Sequence, residues 1–161
     1  MRIIDIVDET ISDGTGLRMS LYLSGCRHGC VGCHNPQSWC PNNGEVLDDV
    51  MFADIVKKYK ANPLLNGITL TGGDPLYNFD EFHDLVKRLK DILGCNIWVY
   101  TGYKYEEIAK EPFMQYIDVL VDGRFIQRLF HPELSFKGSS NQRIINIAQS
   151  LKKNKTIILM E

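Results

Sequence analysis

The chain has no apolar run approaching the ~18 residues that a membrane-spanning helix needs. Its first residues, Met1-Arg2-Ile3-Ile4-Asp5, lack the apolar core and small-residue cleavage site of a secretory leader. Both absences predict a cytosolic protein. Excess charge of either sign is missing too: 18 Lys and Arg stand against 20 Asp and Glu, a net charge of -2, with no polybasic stretch. Broad electrostatic attraction to nucleic acid or to an anionic membrane is thereby excluded. Repeats, low-complexity tracts and Pro/Ser-rich linkers are absent, so nothing divides the 161 residues. A chain of that length buries one core rather than two full ones, and residues 1–161 are expected to form a single domain. Cysteine is scarce and odd in number, five in all. Three of the five, Cys26, Cys30 and Cys33, fall within eight residues, which in a reducing cytosol points to metal rather than to disulfides.

What is present is an alternation of short β-prone runs with helical patterns. Met19-Ser20-Leu21-Tyr22-Leu23 reads as a strand running into Gly25 and the cysteines. Met51, Phe52, Ile55, Val56 and Tyr59 then mark an amphipathic helix, with Asp48 as N-cap and Asn62-Pro63 as its end. Gly67 to Thr71 is a second strand, stopping at Gly72-Gly73-Asp74-Pro75. A second helix carries the stripe Phe82, Leu85, Val86, Leu89, Ile92 and Leu93, with Asn78 and Glu81 as a capping-box variant and Gly94 as its stop. Asn96 to Tyr100 is a third strand, Tyr103 to Lys110 a short helix, and Tyr116 to Val121 a fourth strand ending at Asp122-Gly123. Ile144 to Ile147 looks like a further strand, and the segment after it is unassigned.

Strands alternating with helices argue for repeated βα units and a mainly parallel sheet, with active residues on loops at the strands' C-terminal ends. A closed eight-unit barrel typically needs about 250 residues, so this α/β chain is expected to form an open, partial TIM-type barrel of five or six strands.

Cys26-x3-Cys30-x2-Cys33 is the most specific feature. A closed 4Fe-4S carrier normally uses four thiolates, and three leave one iron open. An open iron can chelate the amino and carboxylate groups of S-adenosylmethionine (SAM) and deliver the electron that cleaves its carbon–sulfur bond. The resulting 5'-deoxyadenosyl radical removes hydrogen from a strong C–H bond, chemistry that belongs to the cofactors while the protein positions and shields them. Two other readings of the same residues stand beside this one. Cys40 could close the cluster as a fourth ligand, or His28, His34 and Cys40 could complete a zinc site, although the second, distant Cys pair common in such sites is absent. Cys95, at the start of a strand, reads as an ordinary buried thiol.

Cys26-Arg27-His28-Gly29-Cys30-Val31-Gly32-Cys33-His34-Asn35-Pro36 resembles the signature of the radical SAM glycyl-radical activases. Asp13-Gly14-Thr15-Gly16-Leu17-Arg18 is similar to the Asp-Gly-Pro-Gly-x-Arg segment that precedes it in them, with Thr15 in place of Pro. Leu70-Thr71-Gly72-Gly73-Asp74-Pro75-Leu76 resembles their SAM-binding Gly-Gly-Glu segment, with Asp74 as the acid. Val121 to Phe125 and Phe136 to Ile144 are similar to segments of the anaerobic ribonucleotide reductase branch. Together the matches run from Asp13 to about Ile147.

The resemblance implies a radical SAM fold and assigns roles. Cys26, Cys30 and Cys33 would ligate three irons of a 4Fe-4S cluster and form its catalytic centre. Gly32 and His34 would lie close to SAM, His34 against the adenine. Gly73 and Asp74 would meet the methionine moiety, where Asp74 also reads as a helix-entry cap. The expected activity is reductive SAM cleavage that installs a glycyl radical on a protein substrate, the large subunit of an anaerobic ribonucleotide reductase, with flavodoxin or a ferredoxin as reductant. Activation of pyruvate formate-lyase or a related glycyl-radical enzyme is the second reading. A non-catalytic iron–sulfur or zinc module, closed by Cys40, is the third. Arg124, Lys137 and Arg143 read as a solvated basic face.

Overall fold

The computed structural model describes residues 1–160. Its elements in chain order are β1 (Arg2–Thr10), β2 (Arg18–Leu23), β3 (Glu45–Val46), α1 (Asp49–Ala61), β4 (Gly67–Gly72), α2 (Phe79–Leu93), β5 (Asn96–Tyr100), α3 (Tyr105–Ile108), β6 (Val119–Asp122), β7 (Arg143–Asn146), α4 (Ile147–Lys153) and β8 (Ile158–Met160). The strands form one sheet in the order β3-β1-β2-β4-β5-β6-β7-β8. None of the described helices is long and apolar enough to cross a membrane.

The sheet corrects the expected mainly parallel partial barrel. It is an open, mixed sheet of eight strands, parallel only between β2, β4, β5 and β6. β1 pairs antiparallel with both β2 and β3, and β6–β7 and β7–β8 are antiparallel as well. The physical reason lies in the connections. Parallel neighbours need a crossover of a dozen or more residues, and the segments carrying α1, α2 and α3 supply those in the centre. At the two ends of the chain the strands fold back beside their predecessors. The sequence pattern missed β1 because only Ile3 of its nine residues is buried, so its alternation is faint.

Period-two alternation sorts the central strands onto two faces. Met19, Leu21, Leu23, Ile68, Leu70, Ile97, Val99, Leu120 and Ile145 pack on one face with Phe52 and Ile55 of α1 and Phe82, Leu85, Val86 and Leu89 of α2. Each large apolar side chain so buried contributes roughly 1.5–3 kcal/mol. The helix ends follow the expected chemistry. Asp48 accepts from the Met51 amide, Asn78 accepts from the Asp80 and Glu81 amides, and Gly94 closes α2 in the left-handed region at φ 58°.

The opposite face mixes polar and aromatic side chains. Trp98, Val119, Val121 and Ile144 form its core, with Phe136 and Tyr100 packed against it. Arg18, the last residue of the Asp-Gly-x-Gly-x-Arg segment, is buried here. Its guanidinium donates to Thr69 Oγ1 (2.7 Å) and to the carbonyls of Ile68 (2.8 Å), Asn96 (3.1 Å) and Thr15 (3.2 Å), and it lies 5.4 Å from the Trp98 ring centroid. A buried cation with no bonded carboxylate is sustained by this set of carbonyl dipoles and the ring. The segment thus ties β2 to the starts of β4 and β5.

Candidate functional site

At the C-terminal ends of the parallel strands three loops meet, as the glycine turns in the sequence suggest. The cysteine loop after β2 and the glycine turn after β4 are joined through their backbones. Gly73 N donates to Leu23 O at 2.7 Å and Asp74 N donates to Gly25 O at 2.8 Å. Contact is close enough that a Cβ on Gly73 would stand 2.5 Å from Gly25 O. Glycine is required there by space, since any larger residue would push the two loops apart. Arg27 adds a third tie. It donates to Tyr77 O at 3.0 Å and its guanidinium lies 4.1 Å from the centroid of the Tyr77 ring.

Between these loops lies a cavity of about 370 Å3 lined by Cys26, Cys30, Cys33, His34, Gly73 and Asp74, among others. That volume falls in the range typical of cofactor sites. Six of the seven residues assigned from the sequence therefore share one space. Gly32 does not line it and is exposed at φ 72°. The His34 ring packs against Phe125 (centroids 4.9 Å) and Phe130 (5.5 Å), forming an aromatic patch at the cavity's side. Cys40 is exposed and outside the cavity lining, while Cys95 is buried near the start of β5.

Burial pushes the Cys26 and Cys30 thiols above their ordinary range, with partial opposition from backbone groups of His28 and Phe125 respectively. Such thiols are poor free nucleophiles and ionise when a metal claims them. Among the described residues no three His, Cys, Asp or Glu side chains form a group that could hold a metal ion. The three thiols instead border a shared volume. This donor set suits a polynuclear iron–sulfur cluster, whose irons take one thiolate each, better than a single zinc ion.

Asp74 is 3% exposed, and its carboxylate is crowded with donors. Leu76 N reaches Oδ1 at 2.9 Å, Gly102 N reaches Oδ2 at 3.0 Å, and the Thr101 hydroxyl lies 3.0 and 2.9 Å from the two oxygens. His28 Nε2 donates to Oδ2 at 2.5 Å. The Leu76 bond caps the short 3-10 turn Pro75–Tyr77, so the helix-entry role read from the sequence is present.

Several contacts of the site carried no signal in the linear pattern. His28 and Thr101 meet Asp74 across 46 and 27 residues. Tyr22 donates to Asp13 Oδ2 at 3.1 Å, and burial together with Asp13 pushes the phenol up to about 12. Tyr100 donates to Phe136 O at 2.9 Å, joining β5 to the segment that covers the polar face. Strand-end position alone marked Thr101 and Asp122. Asp122 accepts from Tyr105 N (2.7 Å) and pairs with Arg143, which also bonds Glu106. Arg143 is thereby a member of a buried-to-surface ion network and not part of a free basic face.

Residues 12–145 match the family model described as a 4Fe-4S single cluster domain. The chain is 42% identical over 140 residues to the anaerobic ribonucleoside-triphosphate reductase-activating protein of Haemophilus influenzae, an alignment covering 83% of this chain and 90% of the relative. It is 41% identical over 138 residues to the protein of that name from Escherichia coli K12, covering 82% and 90%. The counterpart of that name from Enterobacteria phage T4 is 36% identical over 135 residues, covering 82% and 85%.

Proposed function

Since the chain belongs to the anaerobic ribonucleoside-triphosphate reductase-activating protein family and carries a 4Fe-4S single cluster domain, we propose that it is a radical SAM activase of that reductase. On this reading residues 1–161 act as one radical SAM domain in the cytoplasm, and the protein substrate is the reductase large subunit, on which a glycyl radical is generated. A flavodoxin or ferredoxin-type protein supplies the electron.

One observation carries the reading: Cys26, Cys30 and Cys33 line the same cavity as Gly73 and Asp74, at the ends of adjacent parallel strands. When bound, a site-differentiated cluster and SAM supply the radical chemistry. The chain's own contribution is positional. Three thiolates hold the cluster and leave one iron without a protein ligand, since Cys40 lies outside the cavity. Gly73 lets the glycine turn close against the cysteine loop at the edge of the space for the methionine moiety, and Asp74 provides the acid beside it. His34 and the rings of Phe125 and Phe130 offer an aromatic wall for the adenine. The exposed Gly32 supplies the sharp turn before Cys33. On this reading the hydrogen donor is a loop of the reductase, as the relatives' name implies.

The test is anaerobic reconstitution with iron and sulfide, reduction, and EPR with and without SAM. A reduced 4Fe-4S signal that changes with SAM, together with 5'-deoxyadenosine and a glycyl signal on the reductase, is the expected result. Tightly bound zinc, or a cluster spectrum indifferent to SAM, overturns it. SAM cleavage without a glycyl signal on the reductase, but with one on pyruvate formate-lyase, would move the chain to that partner.

A further inference from the structure

We propose that His28 is a positioning residue that occupies, on Asp74 Oδ2, the place the methionine amino group takes on binding, so that the His28–Asp74 bond and SAM exchange for one another. The proposal rests on the SAM-binding reading above and specifies how that site receives its ligand.

An ionised carboxylate accepts at about four lone-pair positions. Leu76 N, Thr101 Oγ1, Gly102 N and His28 Nε2 account for them at Asp74. An amino group arriving at this acid therefore finds no vacant acceptor and must displace a donor. Two of the four are backbone amides fixed by the Pro75–Tyr77 turn and the β5 terminus. The third, Thr101 Oγ1, is a short side chain 5% exposed at the strand end. His28 differs in kind. It reaches Asp74 from the cysteine loop through two rotatable side-chain bonds, and both residues line the cavity that holds the three cysteines.

The seat of the imidazole is close-fitting, and the His28 side chain is 9% exposed. A Cβ on Gly102 would overlap the His28 ring, so glycine leaves that place open. Tyr103 meets the ring edge-on, with centroids 5.0 Å apart. Release of the imidazole would not release the loop, because Gly25 stays bonded to Asp74 N and to Ser38 O, and Arg27 stays on Tyr77. The bond can thus open while the cysteines keep their places. In the absence of SAM the same bond keeps a buried carboxylate satisfied, which otherwise carries a desolvation cost.

The experiment measures binding of S-adenosylhomocysteine, and of its analogue lacking the α-amino group, to the cluster-loaded protein by calorimetry. For His28→Ala, S-adenosylhomocysteine is expected to bind about fivefold tighter, the scale of one net hydrogen bond no longer broken. The des-amino analogue should bind both proteins alike, and His28→Gln, whose amide again donates to Asp74, should return affinity toward wild type. Equal weakening or equal tightening of both ligands by His28→Ala makes the bond merely structural and overturns the exchange.

A readout on the unmodified residue covers a His28→Ala protein that fails to load its cluster. With ring-13C histidine, the His28 resonance, assigned by its loss in His28→Gln, should shift with S-adenosylhomocysteine and stay in place with the des-amino analogue. A resonance unmoved by either ligand, while both bind, overturns the exchange and leaves the SAM site intact. Failure of the wild type to bind either ligand removes the underlying site as well.

Discussion

The hydroxyl of Thr101, at the end of β5, donates to the carboxylate of Asp74, just past the end of β4, lying 3.0 Å from one oxygen and 2.9 Å from the other. Two adjacent parallel strands thereby present their terminal side chains to each other over the cavity. Thr101→Val keeps the shape and removes the donor, leaving a buried carboxylate short of a partner. The expected loss of stability is ~1–3 kcal/mol, measured by urea unfolding of the metal-free protein, and Thr101→Ser should retain most of the wild-type value.

Gly73→Ala places a methyl group 2.5 Å from Gly25 O, where the backbone fixes the position of both atoms and neither can rotate away. The two loops must separate. A stability loss of roughly 1–3 kcal/mol is expected from the forced shift, and SAM affinity should fall with it. A Gly73→Ala protein with unchanged affinity would count against close approach as the reason for glycine.

Cluster content should separate the five cysteines. Cys26→Ala, Cys30→Ala and Cys33→Ala are each expected to lose the 4Fe-4S cluster on anaerobic reconstitution, read as iron and sulfide per chain. Cys40→Ala should retain it, because Cys40 is exposed and lies outside the cavity lining. Complete loss of the cluster in Cys40→Ala would support a closed, four-thiolate site.

Arg143 holds the Glu106 carboxyl down at about 2, against its usual 4.5, despite some opposing desolvation. A depressed acid stabilises the fold above its unfolded pKa and loses that contribution as pH falls through the folded value. The contribution of the Glu106–Arg143 pair should therefore be full above about pH 4.5 and decline toward pH 2. The effect is modest, because Glu106 is half exposed. Thermal melts across that window should show a shallower pH dependence for Glu106→Gln than for wild type.

Local chemistry made much of the fold legible. The caps at Asp48 and Asn78 and the left-handed stop at Gly94 are decided by residues a few positions apart, so α1 and α2 could be bounded from the pattern. The central strands β2, β4, β5 and β6 bury most of their residues and carry a regular apolar residue at every second position, which marks them as strands in the pattern. Edge strands carry no such mark. β1 buries one side chain, β3 has two exposed residues, and the three residues of β8 are exposed or half-buried, so their existence depends on partners supplied by the folded sheet. The mixed topology follows from those edges, which no periodicity reveals.

The site divides along the same line. The candidate ligands stand out by short-range spacing: Cys26-x3-Cys30-x2-Cys33 lies within one loop, and the Gly-Gly-Asp turn within another, so amino-acid order alone singled out the groups proposed to carry the chemistry. Which groups surround them was decided only by the tertiary structure. His28, Thr101, Gly102 and Leu76 come to one carboxylate from three loops, over separations of up to 46 residues. Hydrogen bonding acts over about 3 Å, and a linear sequence holds no record of which distant residues the sheet will bring within that reach.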